Sequence, residues 1–231
     1  MSRLLIGFIP YVAMSLVHVA TLAAGAHDAA DPTKLMLMPF LALAVVWGAD
    51  RAWTHAHTLL VIAIALSWLG DGAGPLFDWL PTVPMMLLFF GLAHLCYIWL
   101  FWHVLPVRRV PLWTLGYAVW YVALLAVLWP SLGALLGPVA VYGLVLGATA
   151  VGAARCHPLI AWGGLFFLAS DSVLAFRLFM PEVLPDWSSP LVMATYCLGQ
   201  GLIAAGVVVS ARRLRIPKEG AAPAVVEKEH V

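Results

Sequence analysis

Charge is scarce in this chain. Only 10% of its 231 residues are Asp, Glu, Lys or Arg, against roughly 25% in a soluble domain. Hydrophobic residues make up 64%, too many to hide in one water-soluble core, so an integral membrane protein is expected. Cysteine is also sparse. Cys96, Cys156 and Cys197 show no metal-ligand spacing. Two of them fall deep in apolar runs, where a thiol behaves as a small hydrophobe. His55 and His57 read as loop residues without partners, so no metal site and no cofactor are expected. There is no basic patch of the kind that binds nucleic acid. Alternating ~10-residue segments are missing, which excludes a membrane barrel. No cleavage site follows the first apolar run, which therefore reads as a span and not a removed signal.

What the chain does have is long apolar runs. A membrane helix needs about 20 such residues, and backbone groups in hydrocarbon must be bonded within the segment. Eight stretches qualify: 4–24, 34–49, 58–80, 84–103, 111–129, 133–153, 158–180 and 190–211. Asp31-Pro32, Asp50-Arg51, Pro81, Arg108-Arg109, Pro130, Arg155 and Pro185 mark the breaks. The fold class expected is all-α, with both termini cytoplasmic. That orientation puts Arg3, Arg51, Arg108, Arg109, Arg155, Arg212, Arg213, Arg215, Lys218 and Lys228 inside. Only Lys34 and Arg177 fall toward the outside, as the positive-inside rule asks. Residues 1–215 form the membrane domain, and 216–231 read as a disordered polar tail.

Two carboxylates interrupt these runs, in Ser67-Trp68-Leu69-Gly70-Asp71 and in Ala169-Ser170-Asp171. An ionisable group in hydrocarbon costs at least ~2.5 kcal/mol, so its default reading is functional. Adding 100 to His57, Asp71 and Pro81 gives His157, Asp171 and Pro181. Pro39 has a counterpart in Pro138, and the pair Pro84 and His94 in Pro190 and Gln200. Two four-helix repeats follow, about 1–105 and 106–215, related by a pseudo-two-fold axis along the membrane normal. The acids then sit at similar depth and can meet across that axis. Like charges share a site poorly, so one carboxyl ionises and its neighbour stays protonated. Such a pair supplies one acid and one base.

The supporting residues are read from spacing. Ser67, Asp71, Gly74 and Asp78 share one helical face by their three- and four-residue steps. Gly70, Gly72 and Gly74 permit close approach or local unwinding. Ser170 stands beside Asp171, and Arg177 nearer the outer end. His94 and Tyr97 lie one turn apart in the fourth span, on the half that carries Asp71; Tyr196 and Gln200 are their counterparts in the eighth. Lys34 opens the second span from the outer side.

These motifs resemble the YhhN family of membrane proteins. Thr33-Lys34-Leu35-Met36-Leu37-Met38-Pro39 is similar to the family's TKP-x-x-MP opening, with Leu35 where the family usually has proline. Ser67–Asp71 resembles its S-x-x-GD, and Phe90–Ile98 its FxxaHxxYi segment. Gly164–Asp171 resembles GAxxFxxSD, and Met193–Gln200 the Y-x-x-a/g-Q ending. All five occur in order and cover the chain except its tail. The resemblance implies an eight-span protein, and its animal members are lysoplasmalogenases. It therefore implies hydrolysis of a lysoplasmalogen's vinyl ether to a fatty aldehyde and a glycerophospho-alcohol. Asp71 and Asp171 would be catalytic, with His94, Tyr97, Ser67, Ser170, Lys34, Tyr196 and Gln200 supporting them or binding substrate. The partners expected are a single-chain ether phospholipid and the bilayer, in a bacterial inner membrane.

A transporter or channel relaying protons or cations through the acid pair is the alternative. An intramembrane aspartyl protease fits poorly, because Trp68 holds the position of the first glycine in a GxGD acid.

Overall fold

The computed structural model describes residues 3–49 and 53–213. The expected tail at 216–231 lies outside the described residues, as do Arg51, Arg215, Lys218 and Lys228. Among the described residues eight α-helices run in order: α1 (Arg3–Ala23), α2 (His27–Ala49), α3 (His55–Asp71), α4 (Thr82–Trp99), α5 (Leu115–Leu132), α6 (Leu136–Ala154), α7 (Pro158–Phe179) and α8 (Ser188–Arg213). A π-helical turn at Leu100–Val104 extends α4, and short 3-10 turns precede α5, α6 and α8. The fold is all-helical, and no strand occurs among the described residues.

Six of the helical stretches are long and apolar enough to cross a membrane: Leu4–Ala23, Asp28–Ala49, Thr82–Val104, Leu112–Ala154, Pro158–Phe179 and Ser188–Arg212. The fourth, of 43 residues, would reach ~65 Å if straight, about twice the ~30 Å hydrocarbon core. It contains α5 and α6, and it reverses at Gly133, whose φ of +50° suits a residue without a Cβ. Helix α3 is apolar too but has only 17 residues. Apolar side chains fill the core and also cover much of the outer surface. Leu16, Trp47, Leu115, Val119 and Val141 are exposed, while His18, Ser67, His94, Thr149, Ser170 and Gln200 are buried. Apolar surface on this scale needs a lipid solvent, so the chain is an integral membrane protein.

Three expected boundaries move. Asp31-Pro32 does not open α2, which starts at His27 and contains Pro32. A proline this close to a helix start forfeits a single backbone bond, and Thr33 Oγ1 donates to the Ala29 carbonyl nearby (2.6 Å). Pro130 does not end α5, which runs on to Leu132. The third span is not 58–80. Helix α3 stops at Asp71, where Gly72 N–H donates back to the Trp68 carbonyl (2.9 Å). Gly70, Gly72 and Gly74 are poor helix formers, and Pro75 turns its predecessor away from helical dihedrals. Asp78 therefore leaves the face of Asp71 and is exposed in the following turns.

Packing follows a pattern. Helices α3 and α4 lie together, as do α7 and α8. Across the two groups, α4 packs on α6, and α8 packs on α2 and α3. The α7–α8 crossing rests on glycine: a Cβ on Gly163 would stand 2.8 Å from the Gly199 carbonyl oxygen. Small residues let backbones approach this closely. The α3–α4 crossing is looser, with the Phe90 ring lying over Gly70.

Candidate functional site

Both acids face one cavity. Asp71 ends α3 and Asp171 sits inside α7, and each lines the same space together with Lys34, Tyr142, Ser170 and Tyr196. The rest of the wall is apolar, including Val83, Met86 and Leu87 of α4 and Leu124, Leu125 and Leu128 of α5. The cavity volume is ≈ 130 Å³, below the usual ~300–1,000 Å³ of sites that enclose a whole drug-sized ligand.

Asp71 is held by a cation and a phenol. Lys34 Nζ lies 3.4 Å from its Oδ1, and Tyr196 OH donates to Oδ2 at 2.7 Å. Lys34 arrives there because Trp68 Nε1 donates to the Leu35 carbonyl (2.9 Å), which locks the register of α2 against α3. Tyr196 reaches Asp71 from α8, and its ring stands edge-on to Phe90 and Phe167. The Asp71 side chain is 4% exposed and that of Lys34 26%, so the pair is sheltered without being sealed.

Asp171 has different company. Tyr142 OH donates to its Oδ2 (2.5 Å) from α6, and His94 Nε2 of α4 stands 4.0 Å from the same oxygen. The His94 ring packs edge-on against Phe167 with centroids 4.8 Å apart, and against Tyr142 at 5.8 Å. Its Nδ1 meets Thr149 Oγ1 at 3.2 Å. The sequence places His94 on the half that carries Asp71. The structure puts it beside Asp171 because α4, while paired with α3, also packs on α6.

The remaining expected residues lie near the acids but are occupied elsewhere. Tyr97 OH donates to Gln200 Oε1 (2.6 Å), and Gln200 Nε2 donates to Ser67 Oγ (3.1 Å). This buried chain joins α4, α8 and α3, so its hydroxyls and amide stabilise the crossing. Ser170 Oγ donates to the Val192 carbonyl (2.9 Å), fastening α7 to α8. Arg177 Nη1 donates to Ser188 Oγ. His55 and His57 are not loop residues: both lie in the first turn of α3, where His57 Nδ1 accepts from Thr54 N–H (3.2 Å). No His, Cys, Asp or Glu group among the described residues is arranged to hold a metal ion.

Spacing missed Tyr142 and Thr149. Each sits in an apolar helix without a motif around it. The one available signal was position: Tyr142 and Thr149 are seven residues apart on α6, hence on one face.

The arrangement can do acid–base chemistry at the end of an apolar slot. Two carboxyl groups face the same space, one beside the Lys34 ammonium and the other beside the His94 imidazole. Residues 30–207 match the model of the YhhN family, so the chain belongs to that family. No curated protein matches the chain, and no solved structure does.

Proposed function

For this YhhN-family chain we propose a lysoplasmalogenase-like hydrolase that cleaves the vinyl ether bond of single-chain ether phospholipids. One observation carries the proposal: Asp71 and Asp171 line a single cavity whose other walls are apolar. The substrate combines an apolar chain with one acid-labile bond, and the site combines an apolar slot with two carboxyls.

The reaction divides between them. One carboxyl gives its proton to the β-carbon of the vinyl ether: its O–H bond breaks, a C–H bond forms, and the neighbouring carbon and ether oxygen become an oxocarbenium ion. The carboxylate opposite stabilises that cation and takes a proton from the attacking water, leaving a hemiacetal. The hemiacetal collapses when the first residue, now a carboxylate, takes its O–H proton while the second returns its proton to the departing ether oxygen. Aldehyde and alcohol leave, and both acids regain their starting states. This is the two-carboxylate logic of glycoside hydrolysis with a C–H bond formed first. The apolar wall excludes bulk water and strengthens these charge interactions.

The same proposal gives all eight helices a membrane crossing, α3 being the shortest, with both termini in the cytoplasm of a bacterial cell and the chain in its inner membrane. Two four-helix halves would meet at the cavity. Supporting this, α4 leans on α6 as α8 leans on α2, and each acid receives its second polar neighbour from the fourth helix of the opposite half. The lipid chain would enter past Val83, Met86 and Leu87 of α4 and Leu124 and Leu125 of α5.

The test is the purified full-length chain in bilayers, given lysoplasmenylethanolamine and scored for aldehyde. Release of aldehyde at a rate proportional to protein supports the hydrolase. Proton flux across sealed vesicles without any aldehyde overturns it in favour of a transporter.

A further inference from the structure

We infer that the transferable proton of the pair rests on Asp171, and that Thr149 is a positioning residue that directs His94 toward it. The inference rests on the hydrolase reading for its kinetic test, but its structural test does not.

Thr149 Oγ1 carries one hydrogen. Val145 offers its carbonyl at 2.9 Å and His94 its own carbonyl at 3.5 Å. Given to Val145, that hydrogen leaves Oγ1 free to accept, and its neighbour at 3.2 Å is His94 Nδ1. Nδ1 must then carry a hydrogen, and the hydroxyl makes two bonds, one given to Val145 and one accepted from the ring. The opposite choice, Thr149 donating to Nδ1, makes one bond and loses the shorter one. A hydrogen bond is worth about 1 kcal/mol, which favours the tautomer with hydrogen on Nδ1.

That tautomer leaves Nε2 as a bare lone pair. The imidazole is fully buried, and Nε2 has no hydrogen-bond partner among the described residues. What it faces is Asp171 Oδ2, 4.0 Å away. Two lone-pair carriers set face to face in an apolar interior repel unless a proton belongs to one of them. Tyr142 has already given its hydrogen to Asp171; placing the proton on Nε2 would create a buried imidazolium–carboxylate pair with two charges to desolvate, whereas placing it on the carboxyl keeps both groups neutral. A protonated Asp171 can turn its O–H toward Nε2 at rest and toward the cavity when a substrate arrives.

Charge balance at the other acid agrees. Asp71 has the Lys34 ammonium at 3.4 Å, so an ionised Asp71 leaves the site neutral. Ionising Asp171 as well would bury an unmatched negative charge, which apolar surroundings oppose. The apparent two-fold symmetry of the acids thus hides two fixed roles: Asp71 is the carboxylate and Asp171 the proton donor.

Infrared spectroscopy of the full chain in bilayers reads the proton directly. The C=O stretch of a protonated carboxylic acid at neutral pH is expected in the wild type and in Asp71→Asn, and should vanish in Asp171→Asn. Its loss in Asp71→Asn with retention in Asp171→Asn, or its absence from the wild type, overturns the assignment whether or not the protein releases aldehyde. Ring ¹⁵N spectra should show hydrogen on His94 Nδ1. Thr149→Val should mix the two tautomers and lower kcat about tenfold with KM within about twofold, short of the ~10²–10⁴ of a lost general acid. Thr149→Ser should restore both readouts. A wild-type His94 with hydrogen on Nε2 alone, or Thr149→Val with unchanged spectra and kcat, contradicts the positioning role. A spectroscopic success with no aldehyde from any variant would leave the proton where it is placed and remove only the hydrolase reading.

Discussion

Asp71 and Asp171 occupy matching places in the sequence and unlike places in the structure. Asp71 is the last residue of a 17-residue helix, followed by glycine and turns, whereas Asp171 lies inside a helix that continues to Phe179. The first has a lysine and a tyrosine at its oxygens; the second has a tyrosine and a histidine. The difference teaches that a repeat can keep the position of a group while its neighbours set what the group does. In each case the second helix of the half supplies one partner, Lys34 from α2 or Tyr142 from α6. The ammonium favours a carboxylate, and the phenol tolerates either form.

The comparison breaks most sharply at the acids themselves. Asp71→Asn and Asp171→Asn should each lower aldehyde release by about 10²–10⁴-fold, with the folded helical content unchanged by circular dichroism. Equal retention of activity in both variants would remove the acid pair from the mechanism.

A second contrast concerns the two helix crossings. Gly199→Ala would drive a Cβ to 2.9 Å from Phe167 N and 3.0 Å from the Gly163 carbonyl oxygen, both backbone atoms that cannot step aside. Gly70→Ala meets the Phe90 ring at 2.7 Å, a side chain that can tilt. Overpacking costs ~1–3 kcal/mol, so Gly199→Ala should lower the thermal unfolding midpoint more than Gly70→Ala. The reverse order would mean that α7–α8 is not the more rigid seam.

The smallest effect separates the two phenols. A hydrogen bond to a charged group is worth ~1.5–3 kcal/mol and a neutral one ~0.5–1.5. If Asp71 is the ionised member, Tyr196→Phe should destabilise the folded protein more than Tyr142→Phe in the same melting assay. Similar losses would argue that the two acids carry the same charge.

Much of this was legible from residue order. Apolar runs announced helices, and the cost of a carboxylate in hydrocarbon pointed at Asp71 and Asp171. The motif spacing also picked out Lys34, Tyr196 and His94, which the structure places at the acids' oxygens. Which acid His94 faces was not legible, because the packing of α4 on α6 is a tertiary choice with no local signal. The end of α3 was missed for the opposite reason. Hydropathy continues through Pro75 to Leu80, and only the glycines and the proline say that the helix stops. Tyr142 and Thr149 were invisible because one phenol and one hydroxyl in an apolar helix are commonplace. Their meaning comes from Asp171 and His94 lying opposite.

The most direct measurement follows the proton. Lysoplasmenylethanolamine is turned over by the full-length protein in deuterated water, and the aldehyde is trapped as it forms. Proton donation to the β-carbon places one solvent deuterium on the carbon next to the aldehyde carbonyl. That single deuterium is expected from the wild type, with product formed about 10²–10⁴-fold more slowly by Asp171→Asn. Aldehyde without deuterium at that carbon, or labelled product from Asp171→Asn at the wild-type rate, would contradict proton donation by Asp171.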